Sequence, residues 1–338
     1  IKAKNMLFNA RCFNSISVDT ECGLLTKTST KVQKLEDEAF WYVHLPEELK
    51  IFTPRLVSFD KDKSSASLTQ ELYGYPSLQE LYLSGEVNLE DWNYIIKSLF
   101  SLHKKFEKFK GETNPDAIKW LYYDKTKERL SDLRAQNPYW NEVLDREFEY
   151  INGKKYRGIA SLKSGIDIYV QKLCKTGKET VIHGDYCFSN ILFDSSNYNF
   201  KLVDPRGRLN NEPTIYGDPR YDIAKLRHSI AGFYDFIVHG LFRLKENKTG
   251  FEYEIKTSVD YSILEMIFNK YAELNGYNPQ EIKFIEGLLF LSMIPLHKDN
   301  FSRQKVFYLK AIELLNDTVK IRGKLNNEKV LSLVRSRG

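Results

Sequence analysis

The chain has 338 residues, 42% of them apolar, with 21 Tyr and 21 Phe, a composition typical of a folded globular protein and not of a disordered one. Lys and Arg outnumber Asp and Glu by 50 to 45, and this small positive excess is spread along the chain, which argues against a nucleic-acid interface. The four cysteines lack the spacing of a zinc site or disulfide framework, and no apolar run is long enough to span a membrane.

The N-terminal part of the chain predicts a small sheet with one helix. Residues 11–30 alternate apolar, β-branched and polar side chains around the turn DTECG, as hairpins do. Residues 31–45 carry apolar side chains at helical spacing, and Pro46 ends this helix. Residues 54–74 indicate a strand, a polar turn and a second strand. We therefore predict an N-lobe, a nucleotide-binding sheet plus helix, over residues 1–73.

The remainder of the chain predicts mainly helices, interrupted by one hairpin. The stretch LEDWNYIIKSLFSLHKKFEKF forms a strongly amphipathic helix, and we expect further helices over residues 115–175 and after Tyr221. Between them, the runs NILFD and FKLVD flank the turn SSNYN and predict a β-hairpin. The sequence therefore predicts an α+β protein whose mainly helical C-lobe spans residues 74–338.

Three polar residues around this hairpin form a pattern with chemical meaning. Residues 181–190 read VIHGDYCFSN, so Asp185 lies in a polar loop and Asn190 leads into the first strand, while Asp204 ends the second. Because a hairpin returns the chain on itself, Asn190 and Asp204 can lie together at its open end. An amide oxygen and a carboxylate suit Mg²⁺ that bridges phosphates, and a further carboxylate can accept a proton from an attacking hydroxyl. These are the parts that phosphoryl transfer requires.

The motif HGD-x-x-x-x-N followed by a strand-terminal Asp resembles the aminoglycoside phosphotransferase and choline kinase family, which shares the protein-kinase-like two-lobed fold. The stretches CFSNILFD, DPRG and YGDPRYDIAKLRHSIAGFYDF look more specifically like uncharacterised phosphotransferases of bacterial surface-polysaccharide loci. The resemblance implies that Asp185 is the catalytic base, that Asn190 and Asp204 are metal ligands, and that His183 is a packed structural residue. An Asx-rich turn before a hairpin is the alternative explanation.

The same resemblance implies a strand Lys on the ATP phosphates, oriented by a helix Glu. Lys27 is the candidate Lys and Glu38 its candidate partner, with Glu36 as the competitor. Only one glycine, Gly23, precedes Lys27, so no glycine-rich loop covers the phosphates, and GTP stays open as an alternative to ATP.

The segment LTQELYGYPSL resembles the hinge between the lobes, where backbone groups of Glu71 and Tyr73 would meet the adenine and Gly74 would let the chain turn. An ordinary strand exit is the alternative. Asp222 opens the following helix, and we expect it to hold the backbone of the catalytic loop rather than to take part in the chemistry.

The loop after Asp204 is short and carries no A-P-E motif, because Asp222 follows only eighteen residues later. This leaves little room for a peptide-docking platform and favours a small-molecule acceptor. The basic character of the loop suits a polyhydroxylated acceptor with an anionic group better than an aminoglycoside, although charges on a surface loop are the alternative. The candidate acceptor residues are Arg206, Arg208, Asp218 and Arg220, with Lys125, Arg129 and His297 as weaker ones.

We therefore expect a cytoplasmic, ATP- and Mg²⁺-dependent phosphotransferase that phosphorylates a hydroxyl of a small sugar-like or polyol metabolite. The resemblance implies a place in surface-polysaccharide biosynthesis. A catalytically silent kinase-fold protein that binds nucleotide or acts as a scaffold is one alternative. A nucleic-acid-binding module, suggested only by the pI near 8.7 and the basic tail over 320–338, is another. No signal-peptide pattern opens the chain. Because its first residue is Ile, a piece of a longer polypeptide is a further alternative. The sequence defines neither the acceptor nor the oligomeric state.

Overall fold

The computed structural model describes residues 14–112, 114–257 and 259–319, which form a small N-lobe and a larger C-lobe. The basic tail over 320–338 and the part of the first hairpin before residue 14 lie outside these described residues. Among the described residues, no helix has the length and apolar character needed to cross a bilayer.

The N-lobe is a four-stranded antiparallel sheet in the order β1-β2-β4-β3 with a helix packed on one face. Because side chains alternate across a strand, Lys27 lies on the same buried face as Leu25, and that face meets the helix. The elements are β1 (Asn14–Asp19), β2 (Leu24–Ser29), α1 (Val32–His44), α2 (Glu47–Lys50), β3 (Leu56–Lys61) and β4 (Ala66–Glu71).

The first half of the C-lobe is helical except for one short hairpin. The capping box of Ser77 and Glu80 begins its first helix. The Asn88 side chain caps the next, which is the helix that the amphipathic pattern predicts. The elements are α3 (Leu78–Ser84), α4 (Leu89–Phe106), α5 (Pro115–Lys119), a π-helical turn (Trp120–Asp124), α6 (Lys125–Gln136), α7 (Tyr139–Asp145), β5 (Phe148–Ile151), β6 (Lys154–Arg157) and α8 (Ile159–Thr176).

The second half contains the predicted catalytic hairpin and the helices of the core. Every residue from Pro219 to Ile230 is buried, so α9 runs through the centre of the lobe beside the hairpin. The elements are β7 (Thr180–Val181), a 3-10 turn (Phe188–Asn190), β8 (Ile191–Asp194), β9 (Asn199–Leu202), β10 (Arg208–Leu209), β11 (Glu212–Pro213), β12 (Tyr216–Gly217), α9 (Pro219–Ile230), α10 (Tyr234–Val238), β13 (Phe242–Asn247), β14 (Gly250–Ile255), α11 (Ser262–Leu274), α12 (Pro279–Met293), a 3-10 turn (Ile294–His297) and α13 (Phe301–Thr318).

A second four-stranded sheet, in the order β13-β14-β5-β6, adds a hairpin to residues 115–175, where helices were expected, and another to the mostly helical part after Tyr221. Two hairpins that are far apart in the chain join where Phe251 pairs with Ile151. The run FRLKEN does alternate apolar and polar residues, but it is short and lies between long helical segments. The predicted boundary between the lobes, after residue 73, falls between β4 and α3 and stays a prediction.

Candidate active site

A buried carboxylate holds the backbone of the loop that carries Asp185. Asp222, in the first turn of α9, accepts hydrogen bonds from the amides of His183 at 2.7 Å and Gly184 at 2.8 Å. The His183 ring is buried and packs edge-on against Trp41 of α1. The structural roles predicted for Asp222 and His183 are therefore confirmed.

Gly184 occupies the position at which protein kinases have Arg, and its geometry requires glycine. Its φ is +77°, in the left-handed region that side chains disfavour. A Cβ at this position would lie 2.6 Å from Cβ of Arg206. The loop thus brings its backbone close to Arg206, two residues past Asp204.

The carboxylate of Asp185 is held from two sides. Its Oδ1 lies 2.7 Å from Nζ of Lys225 on α9, and its Oδ2 accepts a hydrogen bond of 3.0 Å from the amide of Asn190. Burial opposes ionisation, but Lys225 and then Arg206 outweigh it and hold the pKa of Asp185 well below its ordinary value. Since 38% of the side chain is still exposed, Asp185 is an ionised group that an incoming molecule can reach.

Asn190 and Asp204 lie at the open end of the β8–β9 hairpin, as the spacing predicts. The pairing of Ile191 with Leu202 is extended by a hydrogen bond of 3.0 Å from the Val203 amide to the Asn190 carbonyl. Asp204 follows with φ of +57°, a left-handed conformation that Asp and Asn tolerate better than most residues.

The donor atoms of these two residues fit a hard divalent cation. Asn190 uses its amide nitrogen on Asp185, so its oxygen, which accepts 3.1 Å from the Ser189 hydroxyl, is the atom left for a cation. The Asp204 side chain is 43% exposed. Within the described residues, no group of three or more His, Cys, Asp or Glu side chains could hold a metal ion. Remaining ligands to Mg²⁺ would therefore come from phosphates and water, which is how this ion commonly binds.

The structure brings Lys27 of β2 together with Glu38 of α1, at 2.7 Å, and not with Glu36. Glu36 lies on the outer side of α1 and pairs with Lys61 at 2.5 Å. Lys27 also contacts Asp204, so one ammonium group connects the N-lobe to the end of the β8–β9 hairpin. Burial favours the neutral amine, but Asp204 and then Glu38 outweigh it and raise the pKa of Lys27 above its ordinary value.

At the predicted hinge, Glu71 ends β4 and Tyr73 lies two residues beyond it. The Glu71 carboxylate contacts Arg55 at 3.2 Å and accepts 3.1 Å from the Tyr73 hydroxyl. The Glu71 amide is already bonded to the Arg55 carbonyl at 3.0 Å, so it is not available to a nucleotide base. This narrows the predicted backbone contact at Glu71 to its carbonyl.

Two of the predicted acceptor residues, Asp218 and Arg220, are corrected by the structure. Asp218 is fully buried and caps α9 by accepting 3.0 Å from the Arg220 amide. The Arg220 guanidinium lies 2.5 Å from the Asp218 carboxylate and donates a hydrogen bond of 2.8 Å to the Leu173 carbonyl of α8. The pair is committed to joining α8 and α9, so neither side chain is free to grip an acceptor.

The other acceptor candidates separate into two groups. Arg208 pairs with Asp37 of α1 at 2.8 Å, a contact between the lobes, and the His297 ring packs edge-on against Phe307. Arg206, in contrast, is near enough to Asp185 to lower its pKa and donates 3.0 Å to the Tyr221 hydroxyl. Arg206 therefore lies beside Asp185, and its role in acceptor binding stays a prediction.

Sequence reasoning missed Lys225 and Tyr221. Lys225 lies three residues after Asp222, so both are on one face of α9 and reach the same loop. Tyr221 meets Arg206 from one direction and Lys125 of α6, at 3.1 Å, from another. The helical spacing from Asp222 could have identified Lys225, but no local pattern predicts the approach of α6.

No protein-family model and no curated protein sequence matches the chain. Solved structures do resemble it. A thermostable mutant of aminoglycoside phosphotransferase APH(4)-Ia, bound to ADP and hygromycin B, is 11% identical over 88% of each chain, with a TM-score of 0.51. The AMP-PNP and hygromycin B complex of another such mutant is 12% identical over 91% of this chain and 95% of its own, with a TM-score of 0.50.

A protein assigned as a fructosamine-3-kinase from Haemophilus somnus 129PT is 12% identical over 89% of this chain and 88% of its own, with a TM-score of 0.52. At such identities the similarity concerns the course of the chain and not the substrate. It extends over both lobes. The chain therefore has the two-lobed protein-kinase-like fold of these phosphotransferases, as the HGD-x-x-x-x-N motif predicts.

Proposed function

We propose that the protein is a small-molecule kinase that transfers the γ-phosphoryl group of ATP, with Mg²⁺, to a hydroxyl of a small sugar-like or polyol metabolite. The observation that carries this proposal is one unbroken series of contacts across the two lobes. Glu38 contacts Lys27, Lys27 contacts Asp204, and the hairpin joins Asp204 to Asn190, whose amide bonds to Asp185. Each of the groups that phosphoryl transfer requires has a place in this series.

At the nucleotide end, Lys27 would neutralise and position the phosphates, and Glu38 would hold the ammonium group in place. Asn190 and Asp204 would hold Mg²⁺, which offsets negative charge on the phosphates when bound. The Glu71 carbonyl and the Tyr73 backbone would receive the base. ATP is the expected donor, and GTP is the alternative.

At the acceptor end, Asp185 would orient the attacking hydroxyl and take its proton. The acceptor oxygen forms a bond to the γ-phosphorus, the bond from that phosphorus to the β,γ-bridging oxygen breaks, and ADP leaves with its electron pair. The proton of the hydroxyl passes to the Asp185 carboxylate. Lys225 and Asn190 keep that carboxylate aimed at one position, which is the main protein contribution in reactions of this kind.

The choice of a small acceptor rests on the short chain between Asp204 and Asp222 and on the similar structures. One of these contains hygromycin B, and another is assigned to fructosamine. The catalytic hairpin carries no long segment on which a peptide could dock. A cytoplasmic location and a place in surface-polysaccharide biosynthesis remain part of the proposal.

The direct test is ADP release from Mg-ATP in the presence of sugars, polyols, sugar acids and sugar phosphates, with ³¹P NMR of the product. We expect at least one acceptor to stimulate ADP release. Asp185→Asn keeps the shape of the side chain and should lower acceptor phosphorylation by about 10²–10⁴-fold with little change in Mg-ATP affinity. Tight Mg-ATP binding without turnover on any acceptor would favour the silent nucleotide-binding protein instead.

A further inference from the structure

The space beside Asp185 contains more positive than negative charge. Arg129 of α6 and Arg206 of the loop after Asp204 are close enough to Asp185 to interact with its charge, and Lys125 of α6 meets Arg206 at the Tyr221 hydroxyl. We call these three side chains the basic cluster. Among the residues that the structure describes, no carboxylate lies within ion-pair distance of any of the three. The nearby carboxylate of Asp185 is itself paired with a fourth cation, Lys225.

Tyr221 connects two members of the basic cluster. Its hydroxyl lies 3.1 Å from Nζ of Lys125 and 3.0 Å from Nη2 of Arg206. Both cations also lie near the face of its ring, at 4.7 and 5.1 Å from the ring centre. Arg129 donates 3.1 Å to the Ser292 carbonyl, which is a neutral partner. The partners of these three cations are therefore a tyrosine hydroxyl and a backbone carbonyl, and neither is a carboxylate that could form a buried ion pair with them.

Such an arrangement costs free energy in the unliganded protein. Lys125 is only 4% exposed, and an ammonium group taken out of water without a counter-ion is strongly disfavoured. The side chains packed around it include the apolar Leu121, Ile285 and Leu288, which cannot solvate the charge.

The titration behaviour of the cluster agrees with a local excess of positive charge. Burial lowers the pKa of Lys125 to about 7, and burial together with Arg206 lowers the pKa of Arg129. Burial alone would raise the pKa of Tyr221, but Arg206, Lys125 and Lys225 outweigh it and lower that pKa to about 7. Each of these shifts would be reduced by one added negative charge.

We propose, building on the proposed function, that the basic cluster binds an anionic group of the acceptor, so that the substrate is a phosphorylated or carboxylated sugar or polyol. The anion would lie against Lys125 and Arg206, with Arg129 adding charge, while Asp185 meets the hydroxyl that is phosphorylated. Arg206 provides the planar donor fork that suits carboxylate and phosphate groups. The site is thereby opposite in charge to one that would suit a polycationic aminoglycoside.

The test compares matched acceptors with and without charge. Glucose 6-phosphate, glucose 1-phosphate, glucuronate and glycerol 3-phosphate are measured against glucose and glycerol in the ADP-release assay, and the first four also distinguish phosphate from carboxylate. We expect a charged member to have a KM at least about tenfold below that of its neutral parent, given the usual strength of charge-assisted hydrogen bonds. A preference for the neutral parents, or for aminoglycosides, would overturn the proposal.

Substitutions in α6 test whether Lys125 is a cation that binds the anionic group of the acceptor. Lys125→Met should raise the KM of the charged acceptor by about 10- to 100-fold and leave the KM of ATP unchanged, since a charged hydrogen bond is worth about 1.5–3 kcal/mol. Lys127→Met, on the exposed side of the same helix, is the matched control, and Lys125→Arg should restore part of the affinity. A change in the KM of ATP instead would place the cluster on the γ-phosphate and contradict the proposal.

A binding measurement decides the question if no acceptor is turned over. With Mg-ADP saturating the nucleotide site, glucose 6-phosphate and glucuronate are titrated calorimetrically into the wild-type protein and into Lys125→Met. Binding of either anion that Lys125→Met weakens and Lys127→Met does not would support the anion site while the proposed kinase activity fails. Absence of binding by both anions would overturn the inference separately from the activity.

Discussion

The ammonium group of Lys225 lies 2.7 Å from the carboxylate of Asp185. Asp222, three residues earlier on the same helix, accepts the amide hydrogens of His183 and Gly184. The buried helix α9 therefore fixes both the backbone of the loop at His183 and Gly184 and the side chain of the proposed base. This arrangement makes α9 the element on which the geometry of the site depends.

We predict that Lys225→Met lowers kcat by about 10- to 100-fold while leaving the KM of ATP nearly unchanged. The substitution removes one of the two groups that aim Asp185, and a small misplacement of a catalytic group can cost about 10²-fold. Steady-state kinetics with both substrates varied measure this. Lys225→Arg, which keeps the charge, should recover part of the loss. An unchanged kcat would mean that Asn190 alone positions the carboxylate.

The substitution Asp204→Asn tests the metal site with little disturbance of the backbone. Residue 204 has φ of +57°, which Asn adopts about as readily as Asp, so we expect the protein to fold normally. Loss of the negative charge should lower Mg²⁺-dependent turnover by at least about 10²-fold, because a bound metal supplies several kcal/mol of charge stabilisation. The measurement is kcat against Mg²⁺ concentration. Near-normal turnover in a folded variant would show that Asp204 is not a metal ligand.

The parts of the molecule that the sequence predicts are those that depend on nearby residues. The hairpin that carries Asn190 and Asp204 follows from strand and turn patterns within about twenty residues, and local patterns also predict the strand of Lys27 and the helix of Glu38, while the family resemblance implies their pairing. Contacts between distant elements are different. Lys125 and Tyr221 are 96 residues apart, and only packing brings them together.

Burial is the second property that the sequence leaves undefined. The charges of Asp218 and Arg220 occur in a polar segment that is typical of a surface loop, and the same composition would suit an acceptor site. The structure instead buries both residues against each other, because Asp218 caps a helix that is buried along its whole length. Charge and spacing alone do not distinguish these two situations.

The pair of Lys27 and Glu38 allows a prediction with an internal control. Lys27→Met should weaken ATP binding by about tenfold or more, because it removes a charged contact to the phosphates. Glu38→Gln should give a smaller loss, since Glu38 acts through Lys27. Glu36→Gln, on the outer side of α1, should leave ATP binding unchanged. Nucleotide titration calorimetry measures all three variants. Loss of affinity in Glu36→Gln instead would contradict the assignment of Glu38.

Stability measurements on the same variants test the burial of the pair. The Glu38 side chain is 2% exposed and the Lys27 side chain 10%, so removing one partner leaves the other charge buried and uncompensated. We therefore expect Lys27→Met to lower Tm, whereas the same substitution of a surface lysine would leave Tm nearly unchanged. The double variant with Glu38→Gln should recover part of the loss. Thermal unfolding of the three proteins checks this order.

Lys125→Met should have the opposite effect on stability. Lys125 is buried without a carboxylate partner, so its replacement by an apolar side chain of similar length should raise Tm by roughly 2–4 °C at pH 7. The gain should shrink towards pH 10. The folded pKa lies below the ordinary value, so the unfolded state binds more protons between about pH 7 and 10.5, and the wild-type protein becomes relatively more stable as pH rises through this window. A lower Tm for Lys125→Met than for the wild type at pH 7 would show that Lys125 stabilises the fold.

The final prediction concerns pH and the binding of anions, with sulfate as a probe because its charge is constant between pH 6 and 9. Burial lowers the pKa of Lys125 to about 7, so its ammonium form, which attracts anions, is present below pH 7 and is lost above it. Tyr221 also has a pKa of about 7 and becomes negative over the same interval, which repels anions. Arg206 and Arg129, which face the same space, stay charged throughout. Sulfate should therefore inhibit the enzyme competitively against the acceptor, with an inhibition constant that rises as pH increases from 6 to 8.5, by up to about tenfold per pH unit for each of the two groups that lose a proton. Lys125→Met should bind sulfate weakly with a much flatter pH dependence, and Lys127→Met should behave as the wild type. Sulfate inhibition that strengthens with pH, or that competes with ATP alone, would contradict both the charge assigned to Lys125 and the anion site built on it.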